Sequence, residues 1–291
     1  MKTQVAMIQW RKVTKNWVWY LLLVILAAFF FIPFWWMIAT SFKTYSEVYT
    51  KQYSLIPTSF NFDNYRQVFK ALPFGMYLWN TIKVSSLVII GTLTTSSMAA
   101  YAFARLRFKG RDMLFFLYLA TLMIPRQVVL IPNFIIFREM GLLDTHWSLI
   151  LSGIFTAYGT FLLRQFFLSI PKELEEAAVI DGYGYWARFV HIILPLSKAA
   201  LTTLLIITLL AIWNEYLYAL VFLQSDVNRT LTLGIALLRG DFDVKWNQVM
   251  AATLISIAPI VLVYLSAQRY FVEGIALTGV KGCYRGGDVC G

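Results

Sequence analysis

The chain has 291 residues, of which 59% are hydrophobic, 17% aromatic and only 14% charged. Because soluble domains have about 45–50% apolar and about 25% charged residues, this composition predicts a polytopic membrane protein with little room for a separate soluble domain. The formal net charge is +10. The Lys and Arg residues lie in loops between apolar segments. The positive-inside rule for membrane proteins therefore explains them better than a nucleic-acid-binding surface does.

Six apolar segments are each long enough to cross a hydrocarbon core of about 30 Å as a helix. They are residues 17–40, 76–104, 113–131, 147–167, 196–218 and 249–271. The first segment is too long for a signal-peptide core and lacks a small-residue cleavage site, so we expect it to be retained. Pro125 should kink the third, because an interior proline removes a backbone hydrogen bond. We therefore predict an all-α fold, with one transmembrane domain of six helices over residues 1–291.

Lys and Arg residues are unevenly distributed between the two sides of this predicted topology. Six spans place both termini on one side, where 15 of these residues lie, against 9 on the opposite side. Lys83 falls inside the second span. Because the side richer in Lys and Arg is normally cytoplasmic, the termini and the loop of residues 169–195 are predicted to face the cytoplasm.

The loop of residues 169–195 is the longest polar insertion on that side. Pro171 suits a first helical turn. Leu174, Ala177 and Ala178 recur at helical spacing, and three glutamates lie on the other faces. Gly182 and Gly184 interrupt the pattern, and Pro195 ends a second short helix. Two short helices joined by a glycine elbow predict a compact protrusion that a partner can bind.

At these residues the chain resembles the permease subunits of binding-protein-dependent ABC importers. Glu176-Ala177-Ala178, Gly182 and Leu194-Pro195 are similar to the "EAA" loop of that family. The surrounding residues look like the carbohydrate-uptake branch, which contains the smaller maltose permease subunit. The resemblance implies that the loop is the coupling helix, which docks into a cleft on an ATPase subunit. The residues implied to dock are Glu176, Ala177, Ala178, Asp181, Gly182, Tyr185, Phe189, Leu194 and Pro195.

The resemblance implies half of a translocation pathway for a carbohydrate, expected to be an oligosaccharide. The implied partners are a second permease subunit, two ABC ATPase subunits, an extracytoplasmic solute-binding protein and membrane lipid, with no nucleic acid. The sequence contains no catalytic set and no G-x-x-x-x-G-K-[ST] phosphate loop. We therefore expect a non-catalytic chain that binds no cofactor or metal, with ATP and Mg used by the partner ATPase. The expected location is a bacterial or archaeal cytoplasmic membrane.

Polar residues in or near the spans are candidates for the substrate pathway, since such residues are costly in a membrane. These candidates are Asn80, Lys83, Trp213, Asn214 and Glu215. The serine and threonine run of residues 92–97 is more typical of close helix packing than of a pathway lining. An ion-coupled secondary transporter is the alternative function. It would require carboxylates in mid-membrane, and only Glu215 comes near that position.

Two further regions are interpreted through the resemblance alone. The loop of residues 226–247 would contact the binding protein, and residues 279–282 are similar to the C-terminus that lies along the ATPases. Cys283 and Cys290 fit no zinc or haem spacing, so we interpret them as part of a tail.

Overall fold

The computed structural model describes residues 2–50, 54–240 and 244–279. Within these residues the chain is helical and contains no strand, which confirms the predicted all-α class. Cys283, Cys290 and the C-terminal motif beyond Gly279 lie outside the described residues, as do residues 241–243 of the loop predicted to contact a binding protein.

The helices are numbered here in chain order. They are α1 Lys2–Phe42, α2 Tyr45–Thr50, α3 Asp63–Ala71, α4 Phe74–Arg105, α5 Arg111–Ala120, α6 Leu130–Glu139, α7 His146–Gly153, α8 Ala157–Ser169, α9 Glu173–Ile180, α10 Tyr185–Arg188, α11 Leu194–Leu196, α12 Lys198–Trp213, α13 Leu217–Phe222, α14 Leu231–Leu237 and α15 Trp246–Gly279. Short 3₁₀ turns follow α5 and precede α14, and a π turn separates α10 from α11.

The described helices provide four spans of sufficient length and hydropathy: Trp19–Phe42, Phe74–Arg105, His146–Ser169 and Trp246–Ser266. A fifth arises if Tyr185–Leu196 and Lys198–Trp213, which meet at 77°, form one broken span. The predicted count of six is therefore not confirmed. The departure lies in residues 113–131, where α5 ends at Ala120 and Pro125 lies outside any helix. Ile124 is extended (φ −85°, ψ 114°), the conformation that a following proline favours.

The chain forms two compact units, which we describe separately. The first comprises residues up to Leu72 together with Leu237–Ile255. Its buried Asn64 donates hydrogen bonds to the carbonyl oxygens of Ser41 (2.7 Å) and Lys43 (2.8 Å), and it accepts one from Asn247 (2.8 Å). One asparagine thus holds the end of α1 and the start of α15 against α3.

The second unit comprises Pro73–Ala236 and the residues from Ser256 onward. Its central helix α4 packs against α7, α8 and α12. Helix α4 approaches the α7–α8 interruption so closely that a Cβ added at Gly91 would collide with the side chain of Ile154. Thr92 and Thr95 donate to the carbonyl oxygens of Gly153 (3.1 Å) and Ile154 (2.6 Å) at that interruption. Thr92 and Thr95 therefore make the close helix contacts that were predicted for the serine and threonine run, although Thr92 also lines the cavity described below.

Candidate functional site

The loop of residues 169–195 contains two short helices joined by a glycine turn, as predicted. The prediction that Pro195 ends the second helix is wrong, because Pro195 lies inside α11 and the helical segment continues to Leu196. A proline near the start of a helix loses no intrahelical N–H bond. Gly182 adopts a left-handed conformation with φ +83°. Its N–H donates to the carbonyl oxygen of Val179 (3.0 Å), and the Tyr183 N–H donates to that of Ala178 (2.8 Å). This pair of bonds is the Schellman pattern, which satisfies the last carbonyl groups of a helix and favours glycine at the left-handed position. The elbow therefore has a defined geometry.

The second half of the loop leads into α12. After α10, residues Phe189–Ile193 form a π turn in which the Leu194 N–H reaches back to the Phe189 carbonyl oxygen. The wider turn directly precedes Pro195, which has no N–H to donate and whose ring crowds the preceding turn. The chain then bends by 77° into Lys198–Trp213.

A buried ion pair attaches the loop to the helix bundle. The Glu175 carboxylate lies 3.0 Å from the Arg105 Nε at the end of α4, and the two side chains are 9% and 5% exposed. The Tyr101 hydroxyl donates to the other Glu175 oxygen at 3.3 Å. Arg105 also donates to the carbonyl oxygens of Phe167 (2.5 Å) and Ile170 (2.7 Å) at the end of α8. One guanidinium thus binds α4, α8 and α9 together.

The structure places the predicted docking residues on two different sides of the loop. Ala178 and Phe189 are buried, and the Phe189 ring lies 5.1 Å from that of Tyr101, so both support the loop from within. Leu194 is half-buried. The exposed members are Glu176, Ala177, Asp181, Gly182, Tyr185 and Pro195. The prediction identified Glu176 and missed the buried Glu175 beside it.

The outer surface of the loop is unusually apolar. Ile180 is 88% exposed, Trp186 64%, Tyr185 63% and Val179 51%. Exposed apolar side chains that are grouped on one segment mark an interaction surface more often than a solvated one. We call these four residues the apolar patch of the loop.

A cavity of about 360 Å³ lies in the second unit, beside α4 and α12. Two places where helices are interrupted also contribute to the wall: residues 121–129, which follow α5, and residues 154–156, between α7 and α8. Helices α6, α7, α8 and α13 complete it. The wall contains hydroxyl and amide groups, two exposed aromatic rings (Phe155 and Tyr158) and one charged side chain, Arg126. Irregular backbone at membrane depth is tolerated where it lines a cavity, and transporters build binding sites there.

Arg126 is held by its neighbours at the edge of this cavity. Its guanidinium lies 3.4 Å from the Glu215 carboxylate and 4.9 Å from the centre of the Tyr218 ring. Glu215 also accepts the Tyr218 N–H (3.1 Å), and the Tyr218 hydroxyl donates to the Arg126 carbonyl oxygen (2.7 Å). Glu215 is therefore engaged in local structure rather than standing alone as an ion-coupling carboxylate.

The five residues predicted from sequence for the pathway make different local contacts. Asn80 donates to the carbonyl oxygens of residues 227 and 229, each at 2.9 Å, and so fixes the loop before α14. Trp213 is buried, with its Nε1 3.4 Å from the Ser256 Oγ. Lys83 and Asn214 are exposed. None of these residues, nor Glu215, lines the cavity.

Asp144 organises the loops at the start of α7. It adopts φ +55°, and its carboxylate accepts the N–H groups of Gln224 and Ser225, each at 2.9 Å. Partial burial acts to raise the pKa of the Asp144 carboxyl, but the hydrogen bonds from Ser225 and Gln224 favour the ionised form and lower the pKa below its usual value.

Membrane-length helices, a polar cavity at two helix interruptions and a compact loop with an apolar surface define a membrane transport protein. Residues 91–276 match the family described as the inner membrane component of binding-protein-dependent transport systems, and the chain belongs to that family. It is thus a permease subunit of an ABC transporter and is non-catalytic, since a separate subunit hydrolyses ATP. This membership favours the permease function over the ion-coupled alternative.

Named relatives cover most of the chain. It is 36% identical over 254 residues to the probable ABC transporter permease protein YurM of Bacillus subtilis, covering 86% of this chain and 83% of that protein. It is 34% identical to the arabinooligosaccharides transport system permease protein AraQ of Halalkalibacterium halodurans, covering 84% and 89%. The crystal structure of a bacterial ABC transporter involved in the import of the acidic polysaccharide alginate superposes with a TM-score of 0.77 at 26% identity, covering 89% of this chain and 96% of that one.

Proposed function

We propose that this chain forms half of the translocation pathway of an ABC importer for a carbohydrate, and that the carbohydrate is an oligosaccharide. The relatives that act on arabinooligosaccharides and alginate support this substrate class. The other half of the pathway is a second permease subunit. Two ATPase subunits, which use ATP and Mg, and an extracytoplasmic binding protein complete the transporter. This chain binds no cofactor of its own.

The observation that carries this proposal is the apolar patch on a loop with a defined geometry. Trp186 and Ile180 expose large apolar surfaces that an ATPase cleft would cover, and aromatic residues are the usual anchors of such interfaces. Glu176 and Asp181 lie exposed next to the patch, where they suit basic residues of the ATPase. The docking surface we propose is therefore the exposed part of the predicted set together with the apolar patch.

The excess of Lys and Arg residues supports an orientation in which the loop, the N-terminus and the tail face the cytoplasm. The loop of residues 226–247 then faces outward and meets the binding protein. ATP-driven closure of the ATPase subunits moves each docked loop. Because Arg105 binds the loop to α4 and α8, movement of the loop is transmitted to both helices as a rigid-body change that opens the pathway to the other side.

Co-purification from membranes tests the proposal. The tagged wild-type chain should bring down an ABC ATPase and a second permease. Gly182→Asp and Glu176→Lys should lose the ATPase but keep the permease partner, since both changes lie on the loop. Glu139→Lys reverses an exposed charge outside the loop and should retain both partners. If the wild-type chain purifies alone and uptake continues without ATP, the proposed coupling is wrong.

A further inference from the structure

The cavity beside α4 and α12 has a composition that selects among sugars. We propose that it binds one uncharged sugar unit of the transported oligosaccharide, with Asn133, Tyr158 and Thr208 as hydrogen-bonding groups. This inference rests on the proposed function and concerns a binding site on this subunit itself. Its volume of about 360 Å³ lies near the lower end of the roughly 300–1,000 Å³ typical of ligand sites, which suits a single unit.

The first argument concerns unused hydrogen-bonding capacity. Asn133, Tyr158 and Thr208 line the cavity, and within the part of the chain that the structure describes none of their side chains has a hydrogen-bond partner. An amide and two hydroxyls can both donate and accept. Sugar hydroxyls also do both, so these groups are complementary to a sugar ring.

The second argument concerns the aromatic surface. Phe155 is 67% exposed and Tyr158 42% exposed, and both rings belong to the cavity wall. Phe155 lies at the interruption between α7 and α8, and Tyr158 lies in the first turn of α8. Binding sites combine apolar and aromatic walls with a few placed polar groups that fix orientation. The C–H faces of a sugar ring can pack on these rings while its hydroxyls reach the polar groups.

The third argument concerns charge. Among the residues that the structure describes, Arg126 is the one charged side chain in the cavity wall. Its side chain is 56% exposed, and its guanidinium lies 3.4 Å from the carboxylate of Glu215, which is 13% exposed. A uronate or phosphate group that entered the cavity would lose its hydration and would find no cation without a counter-ion to pair with. Moving the charged group into the cavity would therefore cost free energy. An uncharged sugar unit has no such cost. The cavity therefore favours the chemistry of an arabinooligosaccharide over that of an acidic saccharide.

Cysteine labelling of the assembled transporter tests whether the cavity binds sugar. Cys283 and Cys290, the two cysteines of the chain, are first replaced by serine. Thr208→Cys is then labelled with a water-soluble methanethiosulfonate, and Leu210→Cys on the same helix, which does not line the cavity, is the control. Arabinotriose and maltotriose serve as uncharged probes and trigalacturonate as the acidic one.

We expect the cysteine at position 208 to react faster than that at position 210. An uncharged trisaccharide that fills about nine sites in ten should slow the reaction about tenfold by mass action. Trigalacturonate should leave the rate unchanged. An unreactive cysteine at position 208, protection by neither uncharged probe, or equal protection by trigalacturonate would each overturn the inference.

A second variant tests the charge argument directly. Glu215→Gln keeps an oxygen that can accept the Tyr218 N–H but leaves the Arg126 cation unpaired at the cavity edge. Trigalacturonate should then protect the cysteine at position 208. Unchanged discrimination between the two classes of probe would contradict the charge argument. These outcomes concern sugar chemistry alone. Failure of the wild-type chain to assemble with an ATPase would contradict the proposed function instead.

Discussion

Replacing Gly182 with alanine isolates the backbone strain of the loop elbow. The φ of +83° lies in the left-handed region, and no heavy atom lies within 4 Å of an added Cβ, so the substitution meets no steric obstacle. A left-handed conformation costs an L-residue about 1–2 kcal/mol. Gly184 is also unobstructed, but its φ is −70°. Gly184 is the N-cap of α10, where glycine is preferred to alanine, and this preference opposes the gain from restriction of the unfolded chain. Gly184→Ala should therefore change the stability of the loop by less than about 0.5 kcal/mol.

Hydrogen exchange of the loop amides in the purified transporter measures this difference. The Tyr183 N–H, which donates to Ala178, exchanges through local opening of the elbow. A cost of 1–2 kcal/mol predicts that its exchange in Gly182→Ala is about 5–30-fold faster than in the wild type. Gly182→Asn should give a smaller increase, because asparagine tolerates the left-handed region. If Gly182→Ala and Gly184→Ala exchange alike, the left-handed turn does not stabilise the loop and the reasoning fails.

Three further predictions concern the second unit. Glu175→Gln leaves a buried guanidinium without its counter-charge and should destabilise the chain by about 3–5 kcal/mol in thermal unfolding. The control Glu176→Gln changes an exposed side chain and should alter stability by less than about 0.5 kcal/mol. Similar effects of the two substitutions would contradict the stabilising role of the buried ion pair. Gly91→Ala pushes a methyl group into the facing helix interruption and should cost about 1–3 kcal/mol, while Gly75→Ala on the same helix is unobstructed and should be tolerated; equal Tm values would contradict this. Because the pKa of Asp144 is lowered, its contribution to stability is present above about pH 4 and is lost as pH falls through the folded-state pKa. Between about pH 5 and pH 3, the Tm of the wild type should therefore fall by more than the Tm of Asp144→Asn. An equal fall would show that this carboxylate is not responsible.

The class of protein and the shape of the loop could be predicted because their signals are local. Long apolar segments indicate membrane helices wherever the chain then folds. Gly182 and Pro195 determine backbone geometry within one turn of themselves, and the structure has its left-handed elbow at the first and its π turn directly before the second. The family motif adds the function of the loop, which no composition could supply.

The orientation of α9 could not be predicted, because it depends on a residue that is distant in sequence. Glu173, Glu175 and Glu176 all lie in the first turn of α9, and helical spacing alone does not decide which one faces the bundle. Glu175 faces the bundle because it forms an ion pair with Arg105, which lies 70 positions earlier, at the end of α4. A basic residue at the end of an apolar span was interpreted only as part of the charge bias across the membrane.

The cavity could not be predicted because its walls are made by non-local contacts. Pro125 signalled one interruption, although a kink was expected and the helix stops instead. The interruption at residues 154–156 contains no proline. Thr92 and Thr95 donate to the carbonyl oxygens freed there, and so satisfy backbone groups that would otherwise be unpaired in a membrane. The residues singled out by polarity alone, such as Asn80, hold loop carbonyl groups far along the chain. In a bundle of this kind, therefore, polar side chains that stabilise irregular backbone are indistinguishable in sequence from those that contact substrate.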